Sequence, residues 1–292
     1  MTGLAPIDGL ALLAIASKAA GYAAALLAMG GVLFAVVFRG LAAPEVLRLA
    51  RRIAAAAALV GLVVLAARFG IRAARISGMG WDGATDPMML GFVWESPLGA
   101  AAFWRGLGEA AILAVLLPGA GLWFALGGAV AVAVSYAQIG HTLGEPRAVL
   151  VVLLVLHLLA VAFWVGALAP LRRAAGDVGG ADLLHRFGTV ALVAVAALMV
   201  AGTALAWLLS GSPSALFGTA YGWTLLAKAA VVSALLGFGA LNKLRLVPAL
   251  AAGDPSAPPA LRRSIALECA AVILIFLATA TLTTLTTPPV NL

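Results

Sequence analysis

The sequence has few of the residues that cross-link a fold, bind metals or carry charge. It contains one cysteine and three histidines among 292 residues, and only 10% of its residues are charged. A single cysteine, Cys269, excludes a disulfide framework and a CxxC metal site in this chain. The scarcity of charge excludes an ordinary soluble domain, in which roughly a quarter of the residues are charged.

Catalytic and nucleotide-binding motifs are also missing. The sequence has no phosphate-binding glycine loop, no dinucleotide-binding glycine pattern, no HExxH zinc motif and nothing that resembles a Ser-His-Asp triad. We therefore predict that the protein is not an enzyme and does not pump by hydrolysing ATP on its own. The net charge of +7 does not indicate a nucleic-acid partner, because the basic residues cluster at the ends of apolar runs, where membrane topology and anionic lipid explain them.

Apolar residues in long runs are what the sequence has in abundance. Hydrophobic residues make up 64% of the chain, the mean hydropathy is +1.13, and the alternating pattern of a membrane β-barrel is absent. The first run is too long for a cleavable signal and lacks a basic stretch before it. We predict an all-α polytopic membrane protein that forms a single integral membrane domain over residues 1–292. Breaks at Gly, Pro and charged residues give eight spans: 10–38, 52–73, 99–117, 121–140, 148–170, 188–210, 221–243 and 263–286.

The loop charges predict the orientation of these spans. One side of the membrane carries most of the basic residues, and the other carries only Arg72, Arg75 and Arg147 clear of the membrane. By the positive-inside rule the richer side is cytoplasmic, so both termini and segments 75–98, 140–147 and 211–220 face the periplasm of a bacterial inner membrane. The stretch Gly253–Pro259 is then a flexible cytoplasmic link. The cytoplasmic set consists of Arg39, Arg48, Arg51, Arg52, Arg172, Arg173, Arg186, Lys243, Arg245, Arg262 and Arg263.

His157 is the polar residue that most strongly indicates a function. It lies in the middle of the fifth span, roughly 13–14 Å from the outer surface, with Trp164 two helical turns below it. An ionisable group at this depth is costly and is by default a candidate functional residue. It is either a metal ligand or relay that faces the bundle interior, or a neutral imidazole hydrogen-bonded to a neighbouring helix.

The other two histidines lie nearer the membrane surfaces. His141 closes the fourth span at the outer surface, where it is either a solvated turn residue or the first station for an ion. It differs in depth from His157 by some 10 Å or more, so the two are better read as successive stations than as ligands of one ion. His185 lies between Asp182 and Arg186 in a cytoplasmic segment and is interpreted as a surface residue.

Several charged residues fall within the predicted spans; four are the main candidates, and Lys18 and Arg68 are weaker candidates of the same kind. Arg105 and Glu109 are four residues apart in the third span, so they can form an ion pair, which is either structural or part of a site. Lys228 and Glu268 can either extend to the two membrane surfaces or turn inward, where they would set the charge balance of an ion path.

The outer segment 75–98 contains three of the six methionines, Met79, Met88 and Met89, beside Asp82 and Asp86. Thioether sulfur is a soft ligand that suits Cu(I), whereas carboxylates suit harder ions. The alternative is that Met and Trp side chains anchor this segment at the membrane interface.

Several segments in order resemble the copper resistance protein D (CopD) family of bacterial inner-membrane proteins. The most specific is the pattern HxxAxxxWxG, which begins at His157 and ends at Gly166. The resemblance covers nearly the whole chain and is strongest from about residue 135 onward. The other segments are Glu95–Gly99 through Trp104-Arg105, Gly140-His141, Arg186-Phe187, Tyr221–Lys228, Asn242-Lys243, Leu261–Glu268 and Pro288-Pro289.

The resemblance implies an eight-helix membrane protein that handles copper, often together with a periplasmic copper-binding partner of the CopC type. The family-typical polar or aromatic positions are His141, His157, Trp164, Arg105, Lys228 and Glu268.

We therefore expect a copper transport protein that receives Cu(I) at segment 75–98 and His141 and passes it towards His157. Two other functions remain open at this point. A quinol-linked b-type haem protein would need two imidazoles facing one another at similar depth. A non-transporting protein that docks a copper chaperone would bind without moving ions.

Overall fold

The computed structural model describes residues 8–177, 179–210 and 212–285, except for the side chains of His141 and Thr142. Within these ranges the regular structure is entirely helical. The long helices are α1 (Gly9–Val37), α2 (Pro44–Ser77), α3 (Pro97–Ile112), α4 (Gly121–Tyr136), α5 (Arg147–Ala174), α6 (Gly180–Ser210), α7 (Ala220–Leu241) and α8 (Ala257–Leu285).

These helices confirm the predicted all-α polytopic membrane protein. Seven helical segments of the described chain are long and apolar enough to cross a membrane, and α4 is a shorter apolar helix. The α3 segment reaches this length because the 3₁₀ turn Leu113–Leu116 extends it. Lys18 in the first half of α1 bonds Thr283 near the end of α8, which is the arrangement that eight crossings would give. We call this end of the bundle the outer end, following the orientation that the loop charges predict.

Several helix ends differ from the predicted spans. Helix α2 begins at Pro44 rather than at residue 52 and runs to Ser77, because Pro at the first helical turn and Gly78 with φ +70° set its ends, not hydrophobicity. Helix α6 begins at Gly180 rather than at residue 188. The flexible link predicted at Gly253–Pro259 is shorter, since α8 already begins at Ala257.

The connections between helices also contain helical turns. Segment 75–98 is not an open loop, since it contains the 3₁₀ turn Gly80–Ala84 and the short helix Pro87–Glu95. The chain continues past α7 through a π-helical turn, Asn242–Leu246, into the helix Val247–Ala251. The predicted tight turn between the third and fourth spans is present, with Gly119 at φ +64°.

Helix α1 lies at the centre of the bundle and packs on α2, α5, α8 and α4. Glycines allow its closest crossings. A Cβ added to Gly30 would lie 2.0 Å from the carbonyl oxygen of Ala162, and one added to Gly166 would lie 2.2 Å from the backbone of Gly30. Small residues at such crossings let helix backbones approach closely, which is how helices in a membrane gain packing energy.

The C-terminal half is packed more loosely. Helix α6 packs on α5 and α7 packs on α8, but α6 and α7 make only sparse contacts with each other. The packing between α6 and α7, beside α5, is therefore the loosest in this half. We call this region the α5–α7 gap.

Candidate functional site

The imidazole of His157 packs against α6, beside the α5–α7 gap. Its Cε1 and Nδ1 atoms lie 3.4 Å from the position that a Cβ on Gly202 of α6 would occupy. The backbone of Leu198, one turn earlier on α6, lies within hydrogen-bonding range of the ring. The Nδ1 atom is buried and makes no well-aligned hydrogen bond in the described part of the chain. A buried ring nitrogen without a well-formed hydrogen bond keeps the capacity to bind a ligand.

Lys228 approaches the same histidine from α7. Its ammonium group is close enough to interact electrostatically with the His157 ring, so the side chain is not simply extended into solvent at the outer surface. Within the described residues it forms no ion pair with a carboxylate. The two polar side chains therefore border one space from opposite sides.

Glu268 is the second polar centre, and it has turned inward. Its side chain is 3% exposed and accepts hydrogen bonds from two other helical segments. Trp164 Nε1 of α5 donates to Oε2 at 3.0 Å, and Asn242 Nδ2, at the end of α7, donates to Oε1 at 2.6 Å. Both carboxylate oxygens are thus occupied by neutral donors, and no cation within the described residues pairs with this acid.

Aromatic side chains fill the bundle next to this acid. The ring of Phe187 on α6 lies 5.4 Å from Phe163 and 6.4 Å from Trp164, and Phe38 lies 6.2 Å from both Phe163 and Phe187. These separations are typical of packed aromatic pairs. The layer lies roughly 10 Å, or two helical turns, below His157 and closes the inner end of the α5–α7 gap.

The predicted ion pair between Arg105 and Glu109 is not formed. The ion pairs of the described residues are Arg48–Glu45 and Arg173–Asp177. Arg105 instead donates from Nε to Ser135 Oγ at 3.1 Å, and its guanidinium lies 3.6 Å from the centre of the Tyr136 ring. Glu109 packs against Gly61 of α2. The two side chains still interact electrostatically, but tertiary contacts to α2 and α4 replace the direct ion pair that the spacing along one helix allowed.

The remaining site candidates are not gathered around His157. Met79 and Met88 are exposed and Met89 is half-buried, all three on the outer segment. Asp86 caps the short helix there by accepting from the backbone of Met89. The side chain of His141 lies outside the described residues. His185 is exposed, which agrees with its interpretation as a surface residue.

No preformed multidentate metal centre is present among the described side chains. They contain no group of three or more His, Cys, Asp or Glu residues placed to hold a metal ion. They also contain no pair of facing imidazoles. His157 lies in the middle of α5 and contacts α6 at Gly202, whereas His185 lies near the start of α6. These residues therefore give the haem hypothesis no support.

Of two further residues beside these polar centres, Gly202 was not singled out from the sequence, and Asn242 was named only within the family-typical segment Asn242-Lys243. Gly202 makes room for the His157 ring, and Asn242 holds the Glu268 carboxylate at the start of a π-helical turn. The sequence does show an asparagine at the end of an apolar run. Asn242 begins a π-helical turn, and such turns are frequent at functional sites. The pairing itself could not be seen in the sequence.

Comparisons with known families agree with this architecture. The family model described as copper resistance protein D matches residues 181–282, and that described as copper resistance protein D-like, N-terminal domain matches residues 8–146. Helix α5, with His157 and Trp164, lies between the two matched segments. No curated protein and no solved structure gives a match. The chain therefore belongs to the copper resistance protein D family and is a copper-related multi-pass membrane protein.

Proposed function

We propose that the protein transports copper across the bacterial inner membrane, taking the ion from the periplasmic side through the α5–α7 gap. Family membership supports the choice of copper. The observation that carries the path is the buried Nδ1 of His157, which makes no well-aligned hydrogen bond and lies midway along α5, beside the gap.

The chemistry of His157 suits an ion in transit. A neutral imidazole nitrogen is a good ligand for Cu(I), and a single ligand of this kind binds weakly enough to release the ion again. Copper is thus the substrate of the protein and not a resident cofactor. A permanent store would need several ligands at one place, and the described residues provide no such cluster.

The charges along the gap favour movement over retention. The Lys228 ammonium beside His157 opposes the presence of a cation there. The Glu268 carboxylate, about two turns nearer the inner end and paired only with neutral donors, attracts one. An ion that passes His157 therefore moves towards a negative group once the aromatic layer of Phe38, Phe163 and Phe187 gives way.

Capture at the outer surface is the first step of the proposal. Met79 and Met88 expose soft thioether ligands, and Met89 and His141 lie on the same outer side of the chain by the loop-charge assignment. We propose that a periplasmic copper-binding protein of the CopC type delivers the ion there.

The test is Cu(I) flux into proteoliposomes that contain purified protein. We expect His157→Ala to remove most of the flux while the protein still inserts and folds. His185→Ala is the matched control, because that imidazole is exposed and far from the gap. Normal flux in His157→Ala would exclude this path. Copper binding without flux in the wild type would instead identify a protein that docks a copper chaperone.

A further inference from the structure

Cationic side chains gather at the outer end of the N-terminal half, away from the α5–α7 gap. Lys18 of α1 interacts electrostatically with Arg68 of α2, and Arg68 interacts in turn with Arg105 of α3. The rings of Tyr22 and Tyr136 lie among them, 5.8 Å apart. We call these five residues the outer cationic cluster.

The structure holds the cations of this cluster in fixed positions. Lys18 Nζ donates to the carbonyl oxygen of Thr283 at 2.7 Å, at the end of α8. The Arg68 guanidinium packs against Gly21 of α1. Its Nη1 lies 3.4 Å from the position that a Cβ on Gly21 would occupy. Arg105 is 5% exposed and is held by Ser135 and the Tyr136 ring.

The cluster lacks a matching negative charge. No carboxylate forms an ion pair with any of its three cations within the described residues. Glu109, one turn further along α3, interacts electrostatically with Arg105 but packs against Gly61 and forms no ion pair with it. The Nη2 atom of Arg105 is buried and has no hydrogen-bond partner there. Three cations beside a single acid, with one buried donor left unpaired, are costly, so this arrangement indicates an anion that the chain itself does not supply.

The position of the cluster indicates where the anion comes from. Tyr136 is the last residue of α4, and Thr283 lies two residues before the end of α8. The cluster is therefore level with the ends of α4 and α8, and about two to three turns inside the outer ends of α1 and α2. Arg72 and Arg75 continue the line of cations along α2 towards its exposed end. Cations at this end run against the positive-inside rule, so topology does not account for them.

We propose that the outer cationic cluster binds a phosphate group, through the free Nη2 of Arg105, the Arg68 guanidinium and the Lys18 ammonium. Guanidinium groups bind phosphate through paired charge-assisted hydrogen bonds, and the two tyrosine hydroxyls lie within the same cluster. The phosphate belongs either to a phospholipid headgroup of the outer leaflet or to a free anion. The site is separate from the copper path, because three cations repel a copper ion.

The experiment measures thermal unfolding of the purified full-length protein in two arms. In the first, delipidated protein in detergent receives sodium phosphate or sodium chloride at equal ionic strength. In the second, the protein is placed in nanodiscs of phosphatidylcholine with or without phosphatidylglycerol. Saturating ligand should raise the unfolding temperature of the wild type by at least about 5 °C. A rise in the first arm identifies a free anion, and a rise in the second arm alone identifies a lipid headgroup.

Three variants decide whether the rise comes from this cluster. Arg68→Gln and Lys18→Gln should lose it, and Arg52→Gln, an exposed position near the opposite end of α2, should keep it. Two cluster variants are used so that one remains if the other does not fold. An equal rise in all proteins, or no rise in either arm, would overturn the proposal. Copper flux in Arg68→Gln should remain normal, so the proposed transport function is tested separately.

Discussion

The indole nitrogen of Trp164 donates a hydrogen bond to a carboxylate oxygen of Glu268 at 3.0 Å and joins α5 to α8 across the bundle. The other oxygen accepts from Asn242, so one buried acid ties three helical segments together. A carboxylate away from water is tolerated only when its oxygens are hydrogen-bonded. The same acid is the negative group nearest to the inner end of the proposed copper path.

Removing the indole donor should therefore destabilise the fold. In Trp164→Phe the aromatic ring remains, but Oε2 of Glu268 loses its partner. We expect the free energy of unfolding to fall by about 1–3 kcal/mol, measured by denaturant titration in detergent. Trp207→Phe is the control, since that side chain is 63% exposed, and it should change stability by less than about 0.5 kcal/mol. Equal effects would mean that the bond contributes nothing measurable.

Filling the space in front of His157 should block copper. A Cβ at Gly202 meets the imidazole at 3.4 Å, which is ordinary contact, so Gly202→Ala should keep most of the flux. Gly202→Leu should remove it, because its longer side chain projects into the gap. Gly237→Leu on α7 has open space around its Cβ and should transport normally. Proteoliposome flux is measured for all three. Full flux in Gly202→Leu would place the path elsewhere.

The charge of Lys228 should weaken copper binding at His157. Lys228→Met keeps the length of the side chain and removes the opposing charge, so the affinity for Cu(I) should rise about tenfold. Competition with a Cu(I) chelator measures it. Lys243→Met, beside Gly188 at the inner end, serves as the control and should bind like the wild type. An unchanged affinity in Lys228→Met would show that the ammonium does not act on the bound ion.

The thioethers of the outer segment should matter for capture at low copper. Replacing Met79, Met88 and Met89 together by Leu keeps the apolar character and removes sulfur. Flux should fall severalfold at limiting copper and recover at high copper, because only the first binding step is weakened. Met199→Leu on α6 is the control. Unchanged flux at limiting copper would leave these methionines as interfacial anchors.

The close crossing of α1 and α5 should not tolerate even one added carbon. Gly166→Ala places a Cβ 2.2 Å from the backbone of Gly30, so the helices must separate. We expect a loss of at least about 2 kcal/mol in the free energy of unfolding. Gly127→Ala adds its Cβ in open space and should be neutral or slightly stabilising. A stable Gly166→Ala protein would mean that the crossing adapts easily.

The helix ends illustrate how far the sequence pattern reaches. Hydropathy located the spans well, but it placed the start of α2 eight residues late and that of α6 eight residues late. Both missed segments are amphipathic or charged, so a search for apolar residues ends before the helix does. Pro44 at the first turn of α2 and Gly78 after its end were the local signals that set its actual limits.

The polar contacts show what such a pattern does not contain. Spacing along one helix allowed a bond between Arg105 and Glu109, yet Arg105 binds Ser135, thirty residues away on α4. Glu268 finds a partner 104 residues away on α5. Helical periodicity tells which residues share a face, but not which face a neighbouring helix presents or at what height.

The sequence by itself determined that this chain is a helical membrane protein and that His157 lies deep within a helix, because both follow from composition summed along the chain. The tertiary structure decided that the ring packs against α6 at Gly202 and that Glu268 is held by Trp164 and Asn242. The rotation and height of each helix are fixed by the places where two backbones can approach closely, as at Gly30 and Gly166. Such an approach depends on two segments that are distant in the sequence, so neither segment reveals it alone.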